Sequence, residues 1–570
     1  MDKKTVVDIL NEIGLLLELK GENPFKSRAY YNAARIIEVL DEDLETLVKE
    51  GRLKDVKGIG DALSKKLTEL VTTGKLQYYE ELKQSVPPGL MDMLKIPGLG
   101  PKKVKVLYDK LGITTVGELE YACIENRLLS LPGFGEKTQK KILEGIQFVK
   151  QFSGYHLYSE ACQEAVKLKE HLERTGLVIR CEIAGSLRRK KEIVKDIDII
   201  ATSHTPRELM DSFVNFQDIK DVVAKGDTKT SVILNSGINA DLRVVRDEEF
   251  PYALHHFTGS KEHNTAMRHR AKAMGIKMNE YGLFKDDVLI ECASEEEIFE
   301  KLNLQYIPPE LRENAGEIEA AERGEIPVLV EEKDLKGIFH VHTTYSDGRS
   351  SLANIVDRAR ELGYSYIAIT DHSKSASYAN GLDEERLLEQ WEEIEDLNRK
   401  YSDFTILKGI EVDILPDGSL DYSDDVLGKF DLVIASIHFH FKMSRQEMTR
   451  RLIRAIENKH THIIGHLTGR LLLSRDGYDI DIYQVIEAAR EYGKVLEINS
   501  SPYRLDLDWR YIKYARDRGV KFAICPDAHS TDGLEDVKYG VGIARKGWLE
   551  AKDIINTYDI QQLLHFLRRM

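Results

Sequence analysis

Nine side chains with metal affinity lie beyond residue 336: His340, His342, Asp347, His372, Glu411, His438, His466, Asp527 and His529. Most of them close a short apolar run, in GIFHVH, YIAITDH, TILKGIEVD, LVIASIH, HIIGH and FAICPDAH. Such runs read as strands buried on both faces, and amphipathic stretches such as SLANIVDRARELG and DIYQVIEAAREYG read as the helices between them. Strand and helix alternating about seven times predicts a parallel α/β barrel, in which the C-terminal ends of all strands converge on one site. The donors occupy those ends. Imidazoles mixed with carboxylates suit Zn²⁺ or Mn²⁺ better than Mg²⁺, and nine donors exceed what one ion takes. The expectation is therefore two or three ions, with Glu411 the candidate bridging acid. His440, His460 and His462 fall outside the pattern and are assigned to the surface or to barrel packing.

The rest of the chain must be read by segment. At 570 residues with 42% hydrophobic content it is long enough for several cored units. Five scattered Cys without a CxxC pair argue against a disulfide framework or thiolate metal site. No run of about 18 apolar residues exists to cross a bilayer, and the start mixes charge into its apolar pattern. The expected location is the cytoplasm, without membrane contact. Net charge is -15, from 81 Lys and Arg against 96 Asp and Glu, so any nucleic-acid binding must be local.

Three segments in the first 150 residues supply such local binding. VKGIGDALSKKL, IPGLGPKKVKVLY and LPGFGEKTQKKIL each place Gly-x-Gly before a helix, at Gly58 and Gly60, Gly98 and Gly100, and Gly133 and Gly135. Residues without Cβ let amides at a helix start reach a DNA phosphate, and the Lys residues that follow add charge. This pattern resembles the helix-hairpin-helix element. The segment 151–312 has α+β patterning and carries GSLRR from Gly185 to Arg189, then Asp196 and Asp198, then Asp241 in NADLRVV. Positions i and i+2 of a strand share a face, so Asp196 and Asp198 can hold one metal and Asp241 on a neighbouring strand can complete a three-carboxylate cluster. The Ser186 hydroxyl and loop amides are placed to receive a triphosphate. The Glu-rich stretch near 308–337 reads as a linker.

Residues 1–312 resemble the family X DNA polymerases on these motifs. The resemblance implies that Asp196, Asp198 and Asp241 are catalytic carboxylates on Mg²⁺ or Mn²⁺, with Gly185, Ser186 and Arg189 at the nucleotide phosphates. HFTGSKEHNTAMR resembles the family's nucleotide-selecting segment. By that match Phe257 and Gly259 pack on the sugar, Asn264 contacts the incoming nucleotide and Arg268 lies near the templating base, while His256 replaces the usual Tyr. The family's Schiff-base lysine for abasic deoxyribose falls on Lys66, a second lysine on Lys26 and a third on Ala62. Residues 336–570 resemble the polymerase and histidinol phosphatase (PHP) superfamily, with all nine positions filled. This implies a distorted (β/α)₇ barrel and phosphoester hydrolysis by metal-activated water. Leu467 stands where relatives usually have Pro, and EINSSPYRLDL, with Asn499 and Arg504, also matches that superfamily's bacterial polymerase members.

The two halves occur in this order in bacterial family X DNA polymerases. The implied domains are a helical lyase-like domain (1–80), helix-hairpin-helix fingers (81–150), a nucleotidyltransferase palm (151–247), a thumb (248–312), a linker (313–335) and the PHP barrel (336–570). The implied function is filling of short gaps in DNA repair, as a monomer acting on gapped, primer-template or abasic DNA with deoxynucleoside triphosphates. The PHP half would be a 3'-5' exonuclease, with AP endonuclease and 3'-phosphatase activity as extensions. Two alternatives stay open: a PHP unit that is only structural, or a small-molecule phosphoesterase tethered to a DNA-binding scaffold.

Overall fold

Glycine placement decides how the first 150 residues are built. In this computed structural model, which describes residues 3–38, 40, 42, 44–124, 127–151, 154–473 and 476–570, the three Gly-x-Gly segments lead into helices α1 (Asp61–Thr73), α2 (Pro101–Leu111) and α3 (Glu136–Gln151). The first glycine of each pair has φ of 97° (Gly58), 80° (Gly98) and 84° (Gly133), which a side chain would strain. The second glycine has no such need: a Cβ on Gly60, Gly100 or Gly135 would meet nothing within 4 Å. Gly60 and Gly100 cap their helices with no side-chain acceptor for the first amides. These helix starts are open to an outside acceptor. Residues 1–153 form one compact unit and 154–570 a second.

In the second unit a five-stranded sheet comprises β1 (Val178–Ile183), β2 (Asp196–Ser203), β3 (Ile219–Lys225), β4 (Lys229–Leu234) and β5 (Asn239–Val245), in the order β1-β2-β5-β4-β3. β2 and β5 run parallel, with Asp198 paired to Asp241, and the other pairings are antiparallel. β4 alternates half-buried and buried residues, as expected of a strand with one face on a core. The helix Lys261–Ala273 and a small three-stranded sheet follow. Residues 313–335, read as a linker, are packed: helix Glu317–Arg323 buries Ala320 and Ala321, and Ile326, Leu329 and Val330 are buried as well. The glutamates that give this stretch its polar composition are not all solvated: Glu313 pairs with the buried Lys546 and with Arg189.

The apolar runs of the last segment become seven strands: β6 (Gly337–Ile338), β7 (Tyr366–Ile369), β8 (Thr405–Asp413), β9 (Leu432–Ser436), β10 (Ile463–Ile464), β11 (Val495–Asn499) and β12 (Phe522–Cys525). They pair in chain order, all parallel. Past the strand ends, His342 N donates to Ala528 O (2.8 Å) and Ala528 N to His340 O (3.2 Å), joining first strand to last and closing the barrel at its C-terminal face. β7, β9, β11 and β12 are buried along their whole length, which is why they read as unbroken apolar runs. The barrel helices begin on Ser351, Asp383, Ser444, Asp481 and Asp508, whose side chains accept a first-turn amide. The contrast with the bare glycine caps of α1 and α2 separates helices closed for packing from helices left open. Palm and barrel residues share one apolar core. Among the described residues no helix is long and apolar enough to cross a membrane.

Candidate functional site

The palm carboxylates are set by strand geometry. Asp196 and Asp198 lie two apart on β2, and Asp241 faces Asp198 across the parallel register of β5. Asp241 accepts from Ser231 Oγ (2.6 Å) and pairs with Lys229 Nζ (2.5 Å). Burial and then the neighbouring acids Asp196 and Asp241 push Asp198 up to about 7, and burial and Asp241 raise Asp196. Acids crowded in this way form a site that favours added positive charge. Gly185 is required beside them: its φ is 65°, and a Cβ there would lie 2.2 Å from Asp198 Oδ2.

Gly185 opens the short helix Gly185–Arg188, which presents Ser186, and Arg189 follows it. Arg188 donates to Thr258 Oγ1 (2.7 Å) and Glu295 Oε2 (2.5 Å), while Arg189 donates through Nη1 to Thr258 O (2.5 Å) and through Nε to Glu313 Oε1 (3.1 Å). A Cβ on Gly259, φ 71°, would lie 3.0 Å from that Nη1. His256 and Phe257 are half-buried, with Arg243 over the Phe257 ring at 4.3 Å. Asn264 donates to His256 O (2.7 Å) and leaves its buried Oδ1 without a hydrogen-bond partner, and Arg268 is exposed.

The barrel site gathers its nine donors from six of the seven strand ends. His340 and His342 follow β6, His372 follows β7, Glu411 ends β8, His438 follows β9, His466 follows β10, and Asp527 and His529 follow β12, with Asp347 in the loop beyond His342. β11 supplies Glu497 and Asn499. Four overlapping groups could each hold an ion: His342, Asp347, His372 and His529; His340, His466 and Asp527; His340, His342 and Glu411; His372, Glu411 and His438. Together they contain all nine sequence candidates and, among the described residues, no other side chain.

Glu411 is the hub, and it is buried. Its Oε1 lies 3.2 Å from His340 Nε2, 3.2 Å from His438 Nε2 and 3.0 Å from His466 Nε2, and its Oε2 lies 2.9 Å from His372 Nδ1 and 3.6 Å from His342 Nε2. Burial alone would raise this carboxyl, but His438, His340 and His372 pull it well below the ordinary range. His342 is pushed down to about 3 by burial and by His529 and His372. Both of its ring nitrogens, His340 Nε2 and Glu411 Oε2 are buried without a hydrogen-bond partner. Buried polar atoms left unmatched at the centre of a donor ring are what a set of metal ligands presents, so the residues fit two or more divalent ions.

Two carboxylates that the sequence reading passed over orient these rings. His340 Nδ1 donates to Glu497, which also accepts from the His466 amide and from Asn499 Nδ2 (3.2 Å). His438 Nδ1 donates to Asp413 Oδ1 (2.6 Å). Each contact commits Nδ1 as donor and leaves Nε2 to face Glu411. Alternation carried the signal: Glu497 and Asn499, like Glu411 and Asp413, are i and i+2 near the C-terminal ends of largely buried strands. Asp371 is buried differently, accepting from Thr343, Ser346 and Gln390, so it braces the loop after β6 and only its neighbour His372 enters the cluster. Arg504 Nε is 3.7 Å from Asp527 Oδ2, to which Asn499 donates at 3.1 Å. His440 is exposed, and His462 accepts from Val433 N at the opposite end of the strands (3.0 Å).

In the first unit Lys66 Nζ donates to Tyr30 OH (2.5 Å) and lies 3.2 Å above the Tyr78 ring. Burial and then Lys26 lower its pKa.

Family profiles match four parts of the chain: a helix-hairpin-helix domain at 1–76, a SAM-like helix-hairpin-helix tandem at 90–147, the DNA polymerase beta thumb at 253–313 and the PHP domain at 339–501. A DNA polymerase/3'-5' exonuclease PolX of Bacillus subtilis (strain 168) is 42% identical over 574 residues, covering the whole of both chains. A probable phosphatase of Thermoanaerobacter sp. (strain X514) is 29% identical over 249 residues, 41% of this chain and 96% of its own. Another, from Caldanaerobacter subterraneus subsp. tengcongensis, is 32% identical over 203 residues, 33% of this chain and 74% of its own. With helix-hairpin-helix, thumb and PHP parts in one chain and a full-length relative at this identity, the chain belongs to the PolX family of bacterial DNA polymerases.

Proposed function

We propose that this protein fills short gaps in DNA with its palm and removes nucleotides from DNA 3' ends with its barrel, as a 3'-5' exonuclease. What supports this is the pairing, in one chain, of two acid-rich centres of different build: Asp196 and Asp198 on one strand with Asp241 opposite Asp198, and Glu411 ringed by five imidazoles among groups that could hold an ion. In the palm, Asp196, Asp198 and Asp241 would hold Mg²⁺ or Mn²⁺, which lower the cost of deprotonating a primer 3'-hydroxyl and of pyrophosphate departure. The chain's own part is placement. Gly185 keeps the Asp198 carboxylate clear, Ser186 and Arg189 take the triphosphate, Phe257 and Gly259 bound the sugar, Asn264 offers its free Oδ1 to the nucleotide, and Arg268 reaches towards the template. His256 in place of Tyr alters the wall beside the sugar.

In the barrel the nine donors would hold two or three Zn²⁺ or Mn²⁺, which supply water acidified towards neutrality and charge stabilisation at the leaving oxygen. Glu497 and Asp413 hold His340 and His438 in the ligating orientation, and Arg504 is placed to steer a phosphate towards Asp527. Similarity to the two probable phosphatases supports phosphoester chemistry in this half, and 3'-phosphatase and AP endonuclease reactions would use the same site. The open helix starts at Gly58–Gly60, Gly98–Gly100 and Gly133–Gly135 would grip DNA phosphates. Lys66, with its lowered pKa, is proposed as the Schiff-base lysine for abasic deoxyribose. Borohydride trapping on abasic DNA checks this, with an adduct expected from the native protein and none from Lys66→Ala.

The test of the two-site reading is a 5'-labelled gapped duplex with Mn²⁺, with and without nucleotides. Asp198→Ala is expected to abolish extension and spare degradation, and His342→Ala to do the reverse. Loss of both activities in both variants overturns it. Degradation that persists in His342→Ala favours a barrel with only a structural role.

A further inference from the structure

One barrel helix carries a buried cation into the polymerase half. α4 (Val537–Lys546) returns from the metal site, and its C-terminal end meets both palm and thumb. Trp548, two residues on, is buried in the thumb's apolar core. Arg545 donates to Glu310 Oε1 (2.7 Å) and Val330 O (3.1 Å). Lys546 is 1% exposed, and its ammonium has three acceptors for three protons: Arg189 O (3.0 Å), Glu310 O (3.2 Å) and Glu313 Oε1 (2.6 Å). The Trp509 ring lies 4.6 Å away on another side.

Glu313 is the shared partner. Its side chain is 9% exposed, and the same Oε1 accepts from Arg189 Nε (3.1 Å), with Lys191 3.7 Å from Oε2. Arg189, the residue assigned above to the triphosphate, is thus held in a buried pair with Glu313 and by Thr258 O. To reach a phosphate it must let go of Glu313. A buried carboxylate left bare costs several kcal/mol, whereas one that keeps another cation does not bear that cost. None of the three Lys546 bonds involves the Arg189 side chain, so that side chain can leave Glu313 without breaking one of them.

We propose that Lys546 is a positioning residue for polymerisation: the barrel supplies the closest, buried cation that, with the more distant Lys191, keeps Glu313 neutralised, so that Arg189 is released to the incoming nucleotide. The barrel thereby contributes to nucleotide binding at a palm whose chemistry it does not share. This rests on the reading of Arg189 as a phosphate contact.

The sign of the effect sets the test. Without Lys546, Glu313 has a stronger hold on Arg189, so the full-length Lys546→Met variant should show a KM for deoxynucleotide about ten-fold higher in gap filling, with 3'-5' degradation unchanged. Removing the charge that holds Arg189 should undo this. Glu313→Gln with Lys546→Met should therefore stay within about three-fold of Glu313→Gln alone, and Lys546→Arg, which keeps the cation, within about three-fold of the native protein. A raised KM that Glu313→Gln does not relieve, or an equal loss of degradation, means that Lys546 only supports the fold and overturns the proposal. Arg189→Ala separates the two layers. If it raises KM while Lys546→Met does not, the coupling is absent; if neither variant changes KM, the assignment of Arg189 itself has failed. Should Lys546→Met not fold, the comparison of the double variant with Glu313→Gln and the Lys546→Arg measurement still decide the matter.

Discussion

The palm and barrel offer divalent ions opposite kinds of candidate site. The palm would use three carboxylates on two strands, with Asp196 exposed at the start of β2 and no imidazole beside them. The barrel would use nine donors from every strand end but that of β11, with Glu411 buried among five imidazoles and a further layer of acids behind them. Hard oxygen ligands open to solvent exchange ions readily, and such ions can arrive with the nucleotide. Buried nitrogen and oxygen donors around a bridging acid hold ions as permanent parts. The difference implies that polymerisation follows the metal in the buffer and degradation follows the metal acquired during folding.

The largest expected effect separates them outright. After rapid desalting into metal-free buffer, gap filling should fall to background until Mg²⁺ or Mn²⁺ is restored, while degradation of a 5'-labelled strand persists; equal loss of both would erase the distinction. Next come the residues that only one site has. Glu497→Gln and Asp413→Asn should lower degradation by about 10- to 100-fold, the usual cost of losing a carboxylate behind a ligand His, and leave extension intact. Gly185→Ala should do the converse, because its Cβ would intrude on Asp198, and an extension rate within two-fold of native would refute that role. The smallest effect concerns a barrel His outside the metal cluster. Burial, Lys494 and His460 depress His462 to about 4, and as a neutral ring it accepts the Val433 amide. Its contribution is present above pH 6.5 and is lost as pH falls from 6.5 towards 4, a difference of about 3 kcal/mol. His462→Gln should therefore flatten the stability curve over that window in chemical denaturation, without changing metal content.

Much of both sites was legible because it follows strand periodicity. Asp196 and Asp198, like His340 and His342, are i and i+2, and the apolar runs before the barrel donors are the strands that carry them. Glu497 and Asp413 escaped because an acid inside an apolar strand reveals its partner only when strands are placed side by side. The Glu-rich stretch near 308–337 was harder still. Glu310 pairs with Arg545, Glu313 with Lys546 and Arg189, and Glu317 accepts from His263 (2.8 Å), so acids that look solvated are buried partners of two arginines, a lysine and an imidazole more than fifty residues away in sequence. Composition alone does not distinguish a solvated glutamate from a neutralised one.

The central claim, a resident metal set in the barrel beside a transient one in the palm, is tested most directly by metal analysis of the full-length protein after desalting. The account expects about two to three equivalents of Zn²⁺ or Mn²⁺ per chain in the native protein, the same in Asp198→Ala, and loss of most of it in Glu411→Ala. Metal that survives Glu411→Ala, or departs with Asp198→Ala, would contradict it.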